Sequence, residues 1–101
     1  MEKNYVNSIS LNQIEKQKRH FFGAIINVLH LQDNGSPEVD ATIQTLINEI
    51  SGLNRVFNFQ PEILSIIGNL ETARVDKTQF RKCILDAANL VDKLKGGDAN
   101  V

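Results

Sequence analysis

Apolar residues recur every three or four positions along most of this chain, which is the period of an amphipathic α-helix. The pattern is most regular between residues 37 and 54, at Val39, Ile43, Leu46, Ile50 and Leu53. No segment alternates with a period of two that a strand would explain better. The pattern predicts four helices, at residues 10–32, 37–54, 61–73 and 76–95.

Capping motifs mark two of the predicted helix starts. Ser10 is followed three residues later by Gln13, the spacing of a capping box, in which the two side chains satisfy free N–H groups of the first turn. Asp76 and Gln79 have the same spacing at the start of the fourth helix. We therefore predict that Ser10 and Asp76 are N-terminal caps.

The predicted helix ends and connections indicate the fold class. Pro37 and Pro61 stand at the first positions of the second and third helices, where the missing N–H of proline costs nothing. Gly35 follows the first helix, where a left-handed C-terminal cap is favourable. Because short connections favour antiparallel neighbours, the sequence predicts an all-α, up-down-up-down antiparallel four-helix bundle.

Length and composition add the domain count and the expected compartment. The 101 residues predict a single domain, residues 1–101, with loose ends at residues 1–8 and 96–101. One cysteine cannot form an internal disulfide, and no apolar run reaches the ~20 residues of a membrane span. We therefore expect a cytoplasmic protein without a membrane span. The net charge of −1 gives no global reason to bind nucleic acid.

The first helix combines a polar stripe with an unusually wide apolar surface. Its polar stripe consists of Lys16, His20, Gly23, Asn27 and His30, at spacings of three and four. The rest of its C-terminal half is apolar over roughly 220°, whereas packing on one side of a bundle needs somewhat over 100°. The excess predicts contact with another molecule.

Three residues of this apolar surface are predicted to bind protein. Ile26 and Leu31 lie at its edges, where a single chain buries them least easily, and Phe22 continues the surface around one side. The partner is either a second copy of the chain or a different protein. The alternative is that the first helix is the central helix of an irregular monomer, whose neighbours cover this surface.

The connection between the second and third helices carries three further large apolar side chains, Val56, Phe57 and Phe59. They either cover the end of the core or form a second apolar site, with Arg55 at its edge. Aromatic residues and arginine are enriched at protein interfaces. We therefore include Arg55, Val56, Phe57 and Phe59 among the predicted protein-binding residues.

The chemistry-bearing residues predict neither catalysis nor a cofactor. His20 and His30 are about 15 Å apart along a helix, too far to share a metal ion. Cys83 lies on the predicted core side of the fourth helix, and the glycines form no nucleotide-binding motif. We predict a non-enzymatic protein–protein interaction module with no cofactor, metal or evident small-molecule substrate. An inhibitor, adaptor, chaperone or immunity-type regulator fits this description.

Two other functions remain open. His20, on the polar face of a bundle helix, resembles the phosphorylated histidine of dimerising histidine-kinase and phosphotransferase domains. The resemblance implies phosphotransfer through His20, although Phe21 stands where those families have an acidic residue. The basic turn Lys16–Arg19 predicts weak nucleic-acid binding as a further alternative, for which a solvated helix face is the simpler explanation.

Overall fold

The computed structural model describes residues 2–54, 57 and 59–95, with side chains described from residue 13 onward. Within these residues the chain forms helices only. They are α1 (Glu2–Asp33), α2 (Val39–Gly52), α3 (Pro61–Val75) and α4 (Phe80–Asp92), with a short 3₁₀ turn, Lys77–Gln79, leading into α4. The predicted all-α four-helix bundle is confirmed. None of the described helices is apolar over a stretch long enough to cross a bilayer.

The four helices form a closed ring around one core. α1 packs against α2 and α4, and α3 packs against the same two helices, with its most extensive contact on α4. Each helix therefore has two close neighbours, and the backbones of the two diagonal pairs do not approach one another closely in the described residues. This arrangement covers α1 from two sides, which decides how much of its wide apolar surface is buried.

The predicted start of the first helix is wrong. α1 begins at Glu2 rather than at residue 10, so Ser10 lies inside the helix and cannot be its N-terminal cap. The chain contains no glycine or proline before Gly23, so no strong helix breaker separates the residues before Ser10 from those that follow it. A capping box permits a helix to begin but does not prevent it from beginning earlier.

The extended α1 is more than twice as long as any of its neighbours. Its 32 residues correspond to about 48 Å at 1.5 Å per residue, close to the 51 Å long axis of the molecule. The first buried side chain described in it is Ile14. Of residues 2–8 only the helical backbone is described, and residues 96–101, the other predicted loose end, lie outside the described residues.

The predicted C-terminal cap of α1 is confirmed. Gly35 adopts a φ of 68°, in the left-handed region that glycine enters without strain. The N–H of Ser36 donates to the carbonyl oxygen of Leu31 at 2.9 Å, and the N–H of Gly35 donates to that of Gln32 at 3.0 Å. These two bonds satisfy carbonyls that the helix end leaves free, and they turn the chain toward α2.

The start of the fourth helix follows the prediction in part. The Asp76 carboxylate accepts a hydrogen bond from the N–H of Thr78 at 3.1 Å, which confirms Asp76 as a cap. The cap belongs to the 3₁₀ turn, and regular α-helix begins only at Phe80 and ends at Asp92. α3 begins at Pro61 as predicted, whereas α2 begins and ends two residues inside its predicted limits.

The core contains apolar side chains from all four helices and from the α2–α3 connection. Among the side chains with no more than 1% of their surface exposed are Phe21, Ile25, Val28, Ile43, Ile50, Phe57, Ile63, Ile66, Leu70, Ile84 and Val91. No polar or charged side chain is buried within the described part of the chain. Cys83 is a buried free thiol, as predicted.

A glutamine side chain fastens one end of the bundle. The Nε2 group of Gln60 donates to the carbonyl oxygen of Phe57 at 2.6 Å, and its Oε1 accepts from the N–H of Lys95 at 3.1 Å. These hydrogen bonds join the α2–α3 connection to the segment that follows α4. The Phe57 side chain in this connection is fully buried in the core.

Candidate protein-binding surface

The polar stripe of α1 faces solvent. Lys16, His20, Gly23, Asn27 and His30 are all exposed, as the helical spacing predicted. A Cβ added at Gly23 would have no atom within 4 Å, so no neighbouring helix approaches this stripe. The stripe therefore separates the two flanks of α1, one toward α2 and the other toward α4.

Most of the apolar surface of α1 is covered by these two neighbours. Phe21, Ile25 and Val28 are buried, while Ile26 and Leu31 are half-buried and pack against the core. The two neighbouring helices therefore bury much of the excess apolar surface that the sequence predicted for α1. Whether Ile26 and Leu31 bind protein stays a prediction.

A salt bridge and a shared depression show the register of α1 against α4. The carboxylate of Asp33 lies 3.5 Å from the guanidinium of Arg81, which joins the end of α1 to the beginning of α4. At the other end, Phe22 and Asp92 line the same surface depression. The two helices are therefore antiparallel neighbours along this edge.

This register places apolar residues of the two helices along one edge of the bundle. With Asp33 level with Arg81 and Phe22 level with Asp92, Leu85 on α4 is about one helical turn from the level of Ile26 along the helix axis. Phe22 is one turn farther along α1, with 41% of its surface exposed, and Leu85 is 42% exposed. We call Phe22, Ile26 and Leu85 the α1/α4 apolar strip.

Charged residues surround the exposed ring of Phe22. The depression there measures about 290 Å³ and is lined by Glu15, Lys18, Arg19, Phe22, Gly23 and Asp92. The Glu15 carboxylate and the Lys18 ammonium group are 4.0 Å apart and largely compensate one another's charge. An aromatic ring with an arginine beside it is a favourable anchor for a protein partner.

Among the side chains that the structure describes, the other exposed apolar residues do not form a comparable patch. Leu64 and Val75 lie about 16 Å apart at the two ends of α3, with the polar Glu71 between them. Phe59 is 66% exposed in the α2–α3 connection, where its φ of 52° is unusual for a residue other than glycine.

Of the four binding residues predicted in this connection, two are described. Phe57 is fully buried and has no surface to offer a partner, so its predicted binding role is wrong. It instead covers the core, which the sequence offered as the alternative. Phe59 is exposed, and its predicted binding role stays a prediction. Arg55 and Val56 lie outside the described residues.

His20 lies on the opposite flank of α1, toward α2. Its ring meets that of Phe21 edge-on, with 5.3 Å between the ring centres. It lines a depression of about 350 Å³ together with Glu49 of α2, but no hydrogen bond joins the two described side chains. Within the described residues, no three histidine, cysteine or acidic side chains converge as a metal site would require.

The basic residues are distributed among ion pairs rather than collected on one face. Outside the α1 turn, Lys77 pairs with Asp40 at 3.6 Å, and Lys82 pairs with Asp86 at 2.9 Å. The hydrogen bond from Lys82 to Asp86 raises the pKa of the lysine above its ordinary value. Nucleic-acid binding by Lys16–Arg19 stays a prediction.

Leu85 and Asp92 were missed as candidate site residues. Leu85 is a single apolar residue on the face of α4 that also carries Arg81 and Asn89, and this isolation was the available signal. Its significance depends on the packing of α1 beside it, which no local pattern reveals. The chain matches no protein-family model, and comparison with curated proteins and with solved structures finds no significant similarity.

Proposed function

We propose that this protein is a non-enzymatic interaction module that binds a protein through the α1/α4 apolar strip. One observation carries the proposal: Phe22 and Leu85, from two adjoining helices, each leave about two-fifths of their surface exposed at one edge of the bundle. Adjoining exposed apolar groups with a polar rim are typical of interaction sites. The bundle holds this edge rigid because the opposite faces of both helices belong to the core.

The strip provides both attraction and orientation. Removing the exposed parts of Phe22 and Leu85 from water contributes about 1 kcal/mol each, so a partner must add contacts on both sides. Charges at the ends of the strip restrict the orientations that a partner can take. This combination suits a regulator or adaptor that binds and releases its partner.

We propose that the protein functions in the cytoplasm. Its one cysteine, Cys83, is buried in the core as a free thiol, and the described fold rests on helix packing rather than on a disulfide. A stable core without crosslinks suits a reducing compartment.

Photocrosslinking tests the binding surface directly. A benzophenone amino acid replaces Phe22 in one variant and Leu64, exposed on α3, in the control. We expect irradiation in the producing cells to give a discrete adduct from position 22 and none from position 64. Adding Leu85→Asp to the position-22 variant should remove the adduct, because a carboxylate in the strip resists burial.

The same experiment can refute the proposal. Equal adducts from positions 22 and 64 would mean that the strip has no special role, and so would an adduct that survives Leu85→Asp. Far-UV circular dichroism confirms that each variant is folded before irradiation.

We propose phosphotransfer through His20 as a second candidate function, favoured by the shared depression of His20 and Glu49. An imidazole nitrogen would attack the phosphorus of an acyl phosphate, forming an N–P bond while the P–O bond to the carboxylate leaving group breaks. Glu49, which lines the same depression, would accept the proton that the imidazole loses. The Glu49 carboxylate would thus take the role of the acidic neighbour that the sequence lacks beside His20.

Incubation with radiolabelled acetyl phosphate tests this function. We expect an acid-labile label on the wild type that His20→Ala removes and His30→Ala retains, because His30 is an equally exposed histidine of the same stripe. Absence of label would rule out phosphotransfer from this donor class. A label that persists in His20→Ala would show that His20 is not the acceptor.

A further inference from the structure

Four exposed charged residues stand at the corners of the α1/α4 apolar strip. Arg19 on α1 and Asp92 on α4 line the depression at one end. Asp33 on α1 and Arg81 on α4 form the salt bridge at the other end. The sign of the charge therefore alternates both along each helix and across the pair.

A surface with this alternation is complementary to itself. A two-fold axis across the strip, at right angles to the helices, brings Arg19 over Asp33 of a second copy and Asp92 over its Arg81. A two-fold axis along the helices brings Arg19 over Asp92 of the second copy and Asp33 over its Arg81. Both arrangements pair only opposite charges, and like charges never meet.

The apolar residues lie where such an axis would pass. On α1 the midpoint between Arg19 and Asp33 is residue 26, so Ile26 would face its own counterpart when the axis is at right angles to the helices. Phe22 is about 6 Å from this point along the helix. On α4 the midpoint between the two charged corners lies within two residues of Leu85. Apolar groups thus meet at the centre while charges meet at the ends, as in protein interfaces generally.

We propose that the α1/α4 apolar strip is the interface of a two-fold homodimer of this chain. The inference rests on the proposed function and names a second copy as the partner. Exposed ion pairs contribute little each, so the corners exclude arrangements that pair like charges, while burial of the strip supplies most of the affinity. Because the strip is short, we expect a reversible dimer with a dissociation constant on the order of 0.1 mM.

Complementary charge variants test the dimer. R19E/R81E makes all four corners acidic, and D33K/D92K makes them all basic. Light scattering at low salt should give a monomer mass for each variant alone and a dimer mass for their equimolar mixture. The control K16E/K93E changes the net charge as much as R19E/R81E, but at exposed sites outside the strip, and should dimerise like the wild type.

Contrary outcomes separate this inference from the proposed function. If the wild type dimerises but the mixed variants stay monomeric, the dimer uses another surface. A wild type that is monomeric at every concentration would refute the second-copy partner. If position 22 still crosslinks to a protein of different mass, the proposed function would stand without the dimer. If no adduct forms, both the dimer and the proposed function would be refuted.

Discussion

Phe57→Ala is expected to lower the free energy of unfolding by about 3–5 kcal/mol, since it removes a fully buried aromatic ring and leaves a cavity. A loss of this size is comparable with the whole stability of a small domain. Phe57 belongs to the α2–α3 connection, and the side chain of Gln60 donates a hydrogen bond to its carbonyl oxygen. Urea unfolding followed by far-UV circular dichroism measures the change.

The matched control for this substitution lies two residues away. Phe59→Ala removes the same ring from a position that is 66% exposed, and we expect a change within about 0.5 kcal/mol. Alanine is no easier to place than phenylalanine at the positive φ of this residue, so the backbone contribution cancels. Equal losses for Phe57 and Phe59 would contradict the placement of the connection against the core.

Phe21→Ala and Phe22→Ala are expected to have very different effects although the residues adjoin. Phe21 is 1% exposed, so its truncation should cost about 3–5 kcal/mol of unfolding free energy. Phe22 is 41% exposed at the α1/α4 edge, and its truncation should cost about 1 kcal/mol. The effect on association should be the reverse of the effect on stability. Phe22→Ala should remain folded but lose the interaction.

Denaturant unfolding and light scattering on the same samples separate these two effects. A Phe22→Ala loss as large as that of Phe21→Ala would show that α1 satisfies its apolar surface within the monomer. That result would favour the other explanation of the wide apolar surface, in which α1 is the central helix of an irregular monomer.

The fold followed from the sequence because its local signals agree with one another. The apolar period, the proline at position 61, the cap at Asp76 and the glycine at position 35 each coincide with a helix boundary or face. Such agreement between local preference and global fold is what makes a chain fold to one structure. The predicted start of α1 was wrong because a capping motif only permits a helix to begin and does not prevent it from beginning earlier.

The candidate site followed from the sequence only in part. The helical wheel identified the excess apolar surface of α1 and included Phe22 in it. The wheel could not show that α2 and α4 flank α1 and half-bury Ile26 and Leu31. Nor could it place Leu85 at the same edge as Ile26, because that depends on how α1 and α4 pack together, which the Asp33–Arg81 salt bridge shows. Tertiary packing, rather than local pattern, decides which apolar residues remain exposed.

Amide chemical shifts recorded over a dilution series test most directly the claim that the α1/α4 apolar strip is the interaction surface. Between about 1 mM and about 1 μM protein, a range that spans weak association, we predict shift changes confined to residues 15–33 and 81–92. The amides around Phe22, Ile26 and Leu85 should change most, and those on the outer face of α3 should stay constant. Concentration-dependent shifts centred on Leu64 or Val75, with none along the strip, would contradict the account.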